Sequence, residues 1–526
     1  MYLALKYFFS PNLFLLMKLY SLFFVLISSI CIAQNPSYSS YNITHDLQYF
    51  TDWTGSELNP KVKRKTLREF KSPLMKDLAS SLLNGTYNKE YRIAEYEAYP
   101  SNEALKELLK LSSGFSRYEN MTGIYLEKGE AVVLVGDLHG RKIKLLIPDW
   151  MRQPTPGFKP TQDPRGWGLY KQEMELKEGV NVIYVENPGN VYIEYFENDI
   201  AHAPSIKIHF PTGKVNGYFD LEKNDNSDWD RLLENAVSPI MDARGKHTQV
   251  AYPVEWFTYY TKGKGVELLE SYDKMLDLQY EIMGAKKYHR IPKNRVLARV
   301  NFNYYMFRDG DGVAYLGDKS TMGMVADPDV VVKGDPCWGF SHEIGHVMQL
   351  TPQLTWGGMT EISNNIFSMY TTTKMGNESR LKAQESYKKA RETIINSSPK
   401  ISYLQSGDLF QSLVPFWQLH LYFTENGYPD FYPDVMEQMR NQPHSGTGDD
   451  SINNMFEFIK IASDIAKTDL TEFFEKWGFF YVGDVAIQDY ANYNFTITQQ
   501  MVDETKSYIA NKNYPKPKSD ITLIED

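Results

Sequence analysis

Residues His342-Glu343-Ile344-Gly345-His346 decide how this chain is organised, and Thr360-Glu361-Ile362-Ser363-Asn364-Asn365 follows them. On a helix, which advances about 100° per residue, His342 and His346 project from nearly the same side and Glu343 lies beside them. Two imidazoles in this arrangement can share one metal ion. The chain has 10 histidines in 526 residues, and a chance match to this spacing is roughly a one-in-a-hundred event. The motif therefore indicates a metal site, with a pair of structural histidines as the alternative.

Zinc fits this pattern because Zn²⁺ takes nitrogen and carboxylate ligands in a tetrahedral shell, and a hydrolytic site leaves the fourth position to water. Two histidines then need one more protein ligand. Glu361 is the best candidate by position, since its helix can return over the first one. The acidic alternatives within reach in sequence are Asp327, Asp329 and Glu378. The sequence thus predicts one zinc ion held by His342, His346 and Glu361.

The first part of this stretch has the local signals of a helix. Asp335 before Pro336 is typical of a helix start, with aspartate at the N-cap and proline at the first helical position. A helix from Pro336 to Leu350 has an apolar face opposite the histidines, made of Cys337, Phe340, Ile344, Val347 and Met348. Gly339 and Gly345 flank the ligand side, where a missing side chain lets metal or substrate come close.

The second part predicts another helix, capped by Thr360 and running from Glu361 to about Tyr370. Asn364 and Asn365, three and four residues after Glu361, can turn towards the same side and hydrogen-bond a ligand histidine, which fixes the orientation of the imidazole. Helix capping or simple surface exposure is the alternative for these two asparagines.

Glu343 has a chemical role that needs no bond to the metal. Beside a metal-activated water it can accept a proton as the water attacks a carbonyl carbon, and it can then deliver that proton to the leaving nitrogen. This chemistry is peptide hydrolysis. The developing oxyanion needs a further donor, and the sequence leaves the choice open among its tyrosines, histidines and arginines. No substrate-binding residue can be assigned from the sequence.

The run from Cys337 to Gln349, followed by Trp356-Gly357-Gly358-Met359-Thr360-Glu361, resembles the enhancin-like zinc metallopeptidases, metallopeptidase family 60. The resemblance extends from about residue 116 to near Gly478 and is most specific over residues 334–365. It implies a gluzincin-type site in which His342, His346 and Glu361 bind zinc and Glu343 is the base. Members of this family are associated with cleavage of mucins and other heavily O-glycosylated proteins, so the resemblance also implies a glycoprotein substrate.

Charge and length exclude some functions. The formal net charge is −10 without a basic block, so nucleic acid is not an expected partner. A chain of 526 residues has room for two or three domains. Aromatic residues make up 14% of it, and most of them are expected to fill cores, although such rings can also stack on sugars. We expect a monomer.

The amino terminus is typical of an export signal. Met17-Lys18 is followed by an apolar stretch to Ile32, and Cys31-Ile32-Ala33 resembles a small-residue cleavage site. We therefore predict a signal peptide over residues 1–33, with Met17 as the start, and an exported protein in the periplasm, at the cell surface or secreted. A retained anchor is the alternative. Cleavage would leave Cys337 as a single cysteine, which is expected to be a small buried side chain.

Composition and periodicity divide the rest of the chain. Residues 34–115 predict a polar linker, expected to be loosely held, and a small helical prelude. Short apolar runs separated by glycine, asparagine and proline over residues 116–212 predict a β-sandwich-like module. Residues 213–526 predict the zinc metallopeptidase domain, with a strand over Val296–Phe307, a helical carboxyl-terminal part and a mobile tail from Tyr514. The expected fold class is multi-domain α+β, with the β module followed by a mainly helical zincin-type domain.

Three functions remain in view from these residues. The first is an exported zinc endopeptidase acting on glycoproteins, with mucin-type O-glycosylated proteins as substrates. The second is a glycan-binding surface protein with a vestigial peptidase site. The third is a zinc aminopeptidase or amidase, which would use the same four residues in a differently shaped pocket.

Overall fold

The computed structural model of the protein describes residues 37–112, 114–159, 162–166 and 168–526. The predicted signal peptide, residues 1–33, lies outside the described residues. Among the helices in the described part of the chain, none is both long and apolar enough to cross a membrane.

Residues 37–112, from the segment predicted as a polar linker and a small helical prelude, are folded, and the first part packs against the β module. Its helices span Ser40–Asp46 and Pro73–Leu83. Ile43 and Met75, one from each helix, are fully buried in an apolar cluster that also contains Val132 from the β module. The Asp46 carboxylate accepts hydrogen bonds from the backbone N–H groups of residues 71 and 72. Polar composition suggested a linker, but a few well-placed apolar residues are enough to fix the segment.

Two antiparallel sheets form the β module. The first, in spatial order, contains β1 (Ile93–Tyr96), β8 (Ile206–His209), β3 (Gly129–Val135) and β6 (Gly179–Val185). The second contains β5 (Lys171–Leu176), β4 (Ile143–Pro148), β7 (Gly189–Glu194), β2 (Asn120–Leu126) and β9 (Lys214–Val215). Alternate residues of both sheets, such as Val133 of β3 and Leu145 of β4, share one apolar core. A helix over Asn102–Leu109 lies between β1 and β2 in the chain.

A mixed six-stranded sheet, counted over the described residues, forms the centre of the following region. Its strands, in spatial order, are β10 (Phe219–Asp220), β11 (Ile240–Arg244), β12 (Thr248–Pro253), β13 (Val296–Asn301), β15 (Gly312–Leu316) and β14 (Met306–Asp309). The strand predicted over Val296–Phe307 is thus two strands, because the chain turns after Asn301 and returns at the edge of the sheet. This sheet makes the region less purely helical than the sequence predicted.

Helices cover this sheet and continue beyond it. Before the metal-site motif they span Asn226–Glu234, Val254–Tyr260, Gly265–Ile282 and Lys319–Val325. The helix carrying His342, here called the motif helix, spans Gly334–Met348, and the helix carrying Glu361, here called the Glu361 helix, spans Thr360–Lys374. Later helices span Arg380–Ala383, Ser386–Ala390, Leu409–Glu425, Phe431–Arg440, Ile452–Ala466, Thr471–Lys476 and Gln499–Asn511, and a π-helical turn spans Arg391–Ile395.

A β-hairpin interrupts the carboxyl-terminal helices. It consists of β16 (Gly483–Asp489) and β17 (Ala491–Ile497), with Tyr490 between them at the tip. The last residues, predicted as a mobile tail, are packed instead. Ile521 is buried, and the Gln418 side chain donates hydrogen bonds to the carbonyl oxygens of residues 522 and 524. Pro515 and Pro517 follow the end of the helix at Asn511, and the chain after them stays packed.

Candidate metal centre

The motif helix is held by its apolar face, as its sequence predicted. Cys337, Phe340, Ile344, Val347 and Met348 are all fully buried. The Phe340 ring stacks on Tyr272 with ring centroids 4.1 Å apart. The start of the helix differs from the prediction: Lys333 is at the N-cap, and Asp335 lies within the first turn, where it forms an ion pair with Arg380. Asp335 therefore caps nothing, but its charge is favourable near the helix amino terminus.

The structure brings His342, His346 and Glu361 together. One ligand-type atom from each residue lies within 4.8 Å of the others. The Glu361 Oε2 atom is 3.2 Å from Nε2 of His342 and 3.5 Å from Nε2 of His346. The side chains of both histidines and of Glu361 are at most about one-fifth exposed. The three residues thus form a compact set of two imidazole nitrogens and one carboxylate, which is the donor set that zinc prefers.

The other acidic candidates lie elsewhere. Asp329 forms an ion pair with Lys264, and Asp327 accepts a hydrogen bond from the backbone N–H of Asp329. Glu378 lines a separate cavity with Trp338 and Arg380. Glu361 is the acidic residue that reaches the two histidines within the described part of the chain.

Amide side chains orient both histidines. The Nδ1–H of His342 donates to Oδ1 of Asn365 at 2.8 Å, and the Nδ1–H of His346 donates to Oε1 of Gln349 at 2.9 Å. Asn365 in turn donates from Nδ2 to the Glu361 carbonyl oxygen at 2.7 Å. These contacts leave Nε2 of each imidazole facing Glu361, which is the nitrogen that can bind a metal.

The histidine contact of Asn364 was predicted from the sequence, whereas that of Gln349 was not. The Asn364 amide nitrogen lies 3.0 Å from Nε2 of His346 and 3.1 Å from Nδ1 of His342, so this residue also contacts the histidine pair. Gln349 was not predicted from the sequence as a contact of the histidines. Its position three residues after His346, one helical turn onwards, is a signal that was available.

The two glycines of the motif helix pack closely on their neighbours, Gly345 on backbone and Gly339 on a side chain. A Cβ atom on Gly345 would lie 2.6 Å from the carbonyl oxygen of Asn364, and one on Gly339 would lie 3.3 Å from Sδ of Met306 on β14. The prediction that a missing side chain admits metal or substrate is therefore wrong for Gly345, and it stays a prediction for Gly339. The two glycines admit the Glu361 helix on one side and the edge strand β14 on the other.

Glu343 is buried beside the histidines, with 5% of its surface exposed. Burial raises the pKa of its carboxyl group, and the negative charge of Glu361 acts in the same direction. The positive charges of His342, His346 and Arg308 oppose this rise without cancelling it. Glu361 behaves oppositely: burial would raise its pKa, but hydrogen bonds from His342 and His346 hold that pKa well below its usual range. The two carboxyl groups therefore have pKa values shifted in opposite directions: Glu343 is the stronger base, and Glu361 stays ionised.

Two groups that the sequence analysis did not single out face this pair of carboxylates. The Tyr490 hydroxyl, from the hairpin tip, donates to Oε1 of Glu361 at 2.7 Å. Arg308 on β14 interacts electrostatically with both Glu343 and Tyr490, and burial lowers the pKa of its guanidinium. Among the described residues, no hydrogen bond or ion pair to the Arg308 guanidinium is found.

His420 is buried outside this set of three residues. Its ring packs on Trp417 with centroids 4.5 Å apart and contacts Tyr370 edge to face. Burial lowers the pKa of His420 to about 4. A neutral imidazole among aromatic rings is a packing residue.

A cavity of about 400 Å³ opens beside Glu361. One wall is the beginning of the Glu361 helix, the second is the segment 404–412, and the third is the hairpin from Ala486 to Tyr490. Glu361 and Tyr490 line this cavity and contact each other, so these two side chains mark the boundary between the cavity and the metal-ligand set.

Sequence and structure comparisons identify similar proteins. The profile described as "Peptidase M60, enhancin and enhancin-like" matches residues 214–478, and the profile described as "N-terminal domain of M60-like peptidases" matches residues 101–209. No curated protein matches the chain.

Several solved structures are similar to this chain. A metallopeptidase from Bacteroides thetaiotaomicron is 26% identical, with 94% of this chain and 83% of that chain covered and a TM-score of 0.78. A metallopeptidase in complex with Tn antigen is 28% identical, with coverages of 83% and 80% and a TM-score of 0.71. The M60 catalytic domain of Clostridium perfringens ZmpC, in complex with the sialyl T antigen, is 18% identical, with 82% of each chain covered and a TM-score of 0.61. This last likeness is one of fold alone.

Proposed function

Because the chain belongs to the enhancin and enhancin-like M60 peptidase family, we propose that it is an exported zinc-dependent endopeptidase that cleaves glycoproteins, with mucin-type O-glycosylated proteins as the substrate class. The family consists of metallopeptidases, and the chain joins an N-terminal domain of M60-like peptidases to a peptidase domain. The observation that carries the proposal is the convergence of His342, His346 and Glu361 within 4.8 Å, with Glu343 buried beside them.

The residues of this centre fit one zinc ion. Nε2 of His342, Nε2 of His346 and Oε2 of Glu361 are the three donors, and the amide contacts to Nδ1 fix both imidazoles in the tautomer that a metal requires. Three protein donors leave one tetrahedral position for water, which is the arrangement of a catalytic rather than a structural zinc site.

The proposed mechanism is hydrolysis with Glu343 as general base. Zinc, when bound, supplies a Lewis acid that polarises a carbonyl group and makes a water molecule more acidic. The Glu343 carboxylate accepts one proton from that water as its oxygen attacks the peptide carbonyl carbon. It then passes the proton to the leaving amide nitrogen as the carbon–nitrogen bond breaks. The raised pKa of Glu343, caused by burial, makes it a stronger base than an exposed glutamate.

We assign to Arg308 the role of stabilising the negative charge that develops on the carbonyl oxygen during hydrolysis. Its guanidinium acts on Glu343 from the edge strand β14, and no acidic side chain pairs with it among the described residues. A largely buried cation that forms no ion pair within the described part of the chain can direct its N–H groups at a substrate oxygen, where low local polarity strengthens the interaction.

The substrate class rests on two supports. One similar structure, 28% identical to this chain, is a metallopeptidase in complex with Tn antigen, which is a fact about that protein. In this chain, the cavity of about 400 Å³ beside Glu361 offers room for a bulky substituent next to the scissile bond. Export rests on the amino-terminal sequence, with Met17 as the start and cleavage after Ala33. We propose a monomer that acts on its glycoprotein substrate without a nucleic-acid partner.

The test is fragment analysis on a defined substrate. An O-glycosylated peptide and its unglycosylated form are incubated with the full chain, and the products are identified by mass spectrometry. We expect one internal cut in the glycosylated peptide, loss of cutting with a chelator and its return with zinc. Glu343→Gln should abolish the cut while zinc content stays normal, whereas the matched control Glu378→Gln should cut normally.

Each alternative outcome has a clear meaning. Products shortened only from one end would identify an aminopeptidase. Glycan binding without hydrolysis of any peptide would identify a binding protein with an inactive centre. Normal cutting by Glu343→Gln would reject Glu343 as the base.

A further inference from the structure

The hairpin β16–β17 lies outside the part of the chain that matches the peptidase family, which ends at residue 478. Its tip nevertheless reaches the candidate metal centre, across 129 positions of sequence. We propose that this hairpin is a working part of the metal centre, in which Tyr490 and Asp489 hold Glu361 in the orientation that binds zinc. This inference rests on the metal centre proposed above.

The two carboxylate oxygens of Glu361 have different partners, and Tyr490 is the partner of one of them. Oε2 faces the histidines, at 3.2 Å from Nε2 of His342, while Oε1 accepts the Tyr490 hydroxyl at 2.7 Å. A carboxylate on a flexible side chain can rotate, and a hydrogen bond to one oxygen restricts that rotation. Tyr490 therefore fixes which oxygen of Glu361 points to the metal position, as partners of metal ligands commonly do.

The position of the Tyr490 ring supports a role other than packing. The side chain is 85% exposed, so burial of its ring stabilises the fold little. Its backbone lies in the left-handed region at φ 56°, which is uncommon for a bulky residue. A strained, exposed tyrosine whose hydroxyl meets a candidate metal ligand is the kind of outlier that indicates function.

The Asp489 side chain contacts the backbone at the start of the Glu361 helix. The Glu361 helix has Met359 at its N-cap, and no side chain of its own first turn caps it. Oδ2 of Asp489 accepts hydrogen bonds from the N–H groups of Gly358 at 2.9 Å and Thr360 at 3.0 Å. The prediction that Thr360 provides the cap is therefore wrong, because a residue of the hairpin provides it. A negative charge at this end of the helix is also favourable for the helix dipole.

The hairpin β16–β17 packs on the loop that precedes the Glu361 helix. A Cβ atom on Gly357 would lie 2.5 Å from Cγ of Tyr493 and 2.7 Å from the Phe495 ring, so the strand β17 packs directly on the loop backbone. On the other side, the backbone N–H of Asn494 donates to Asp449 at 2.8 Å. The hairpin is thus anchored at its strands, and its tip is presented to Glu361 from a fixed base.

The experiment measures zinc affinity of the full chain by competition with a chromogenic chelator, and it needs no substrate. Tyr490→Phe removes only the hydroxyl. Tyr493→Phe is the matched control on the same hairpin, since no hydrogen bond of its hydroxyl is found among the described residues. Asp489→Ala removes the cap. Thermal unfolding of each variant without metal separates damage to the fold from damage to the centre.

We expect Tyr490→Phe to bind zinc about 10-fold more weakly, with unchanged unfolding of the metal-free chain. Asp489→Ala should weaken zinc binding and also lower the metal-free unfolding temperature, whereas Tyr493→Phe should change neither. Wild-type zinc affinity in Tyr490→Phe would overturn the proposal, even if its activity fell, because the hydroxyl would then act on the substrate instead of on Glu361. Failure of the unsubstituted chain to bind zinc would reject the metal centre itself.

Discussion

A Cβ atom on Gly345 would lie 2.6 Å from the carbonyl oxygen of Asn364. This close approach joins the middle of the motif helix to the first turns of the Glu361 helix. Because His346 follows Gly345 and Glu361 precedes Asn364 by one turn, the separation of the two helix backbones at this point sets the distance between the histidines and the carboxylate. The close contact between the two helices therefore also determines the geometry of the three candidate metal ligands.

Replacing Gly345 by alanine should push the two helices apart. The added methyl group meets backbone, which cannot move aside as a flexible side chain can, so we expect a loss of about 1–3 kcal/mol in the free energy of unfolding. Zinc binding should weaken as well, because Glu361 moves away from His342 and His346. Chemical denaturation and chelator competition measure the two effects. Gly310→Ala, where no atom lies within 4 Å of the new Cβ, is the control and should be close to neutral.

The metal-site motif and its helices could be predicted because their signals are local. His342 and His346 are one turn apart, and the two helices have apolar faces and breakers within a few residues. The sequence did not predict the roles of residues that depend on contacts between elements distant in the chain. The roles of Gly345, Asp489 and Tyr490 depend on which elements touch, and nothing near Thr360 in sequence shows that a hairpin residue caps its helix.

Gln349 and Asn365 should contribute to zinc affinity in the same way, because each accepts a hydrogen bond from Nδ1 of one histidine. We expect Gln349→Ala and Asn365→Ala each to weaken zinc binding by about 10-fold. Gln353→Ala is the control, since this buried amide contacts the carbonyl oxygen of Gln442 and no histidine. Unchanged zinc affinity in both variants would show that the imidazoles need no support from these amides.

Arg308→Met should reduce kcat by on the order of 10²-fold with a smaller change in KM, since a donor to the developing oxyanion acts mainly in the transition state. Arg308→Lys should keep part of the rate because it retains the charge. Steady-state kinetics on the glycopeptide substrate distinguish these results. An increase in KM alone would instead assign Arg308 to substrate binding.

The same substitution has a predictable effect on the pH profile. Glu343 must be ionised to accept a proton, so kcat/KM falls as the pH drops through its pKa. Burial raises that pKa, and the positive charge of Arg308 opposes the rise. Arg308→Met removes this opposition, so the acid limb of kcat/KM should move to higher pH, while Arg308→Lys should move it less. A shift to lower pH would contradict the electrostatic coupling of the two residues.

The central sheet shows why strands were missed in sequence. In β12 every residue is buried, so this strand lacks the alternation of apolar and polar residues that marks a half-exposed strand. Polar residues also interrupt the apolar runs of β11 and β12, as Asp242 and Gln249 do. These polar side chains are satisfied by partners from distant parts of the chain, which a pattern within one strand cannot show.

Asp242 should make the stability of the protein depend on pH. Its carboxylate on β11 accepts hydrogen bonds from Tyr192 and from Asn190 on β7, so it joins the β module to the central sheet. Burial raises the pKa of Asp242 from an ordinary value of 3.8 to about 7.

Between those two pH values the folded chain keeps a proton that the unfolded chain releases. The contribution of Asp242 to stability is therefore full below pH 3.8 and declines as the pH rises towards about 7, above which it is constant. Asp242→Asn cannot titrate, so the unfolding temperature of the wild-type protein minus that of the variant should fall from acid to neutral pH and then level off. Thermal unfolding measured from about pH 4 to pH 8 tests this, spanning the range over which the linkage acts. Asp77→Asn, at an exposed position, is the control, and an equally flat difference for both variants would show that Asp242 is ionised in the folded protein throughout this range.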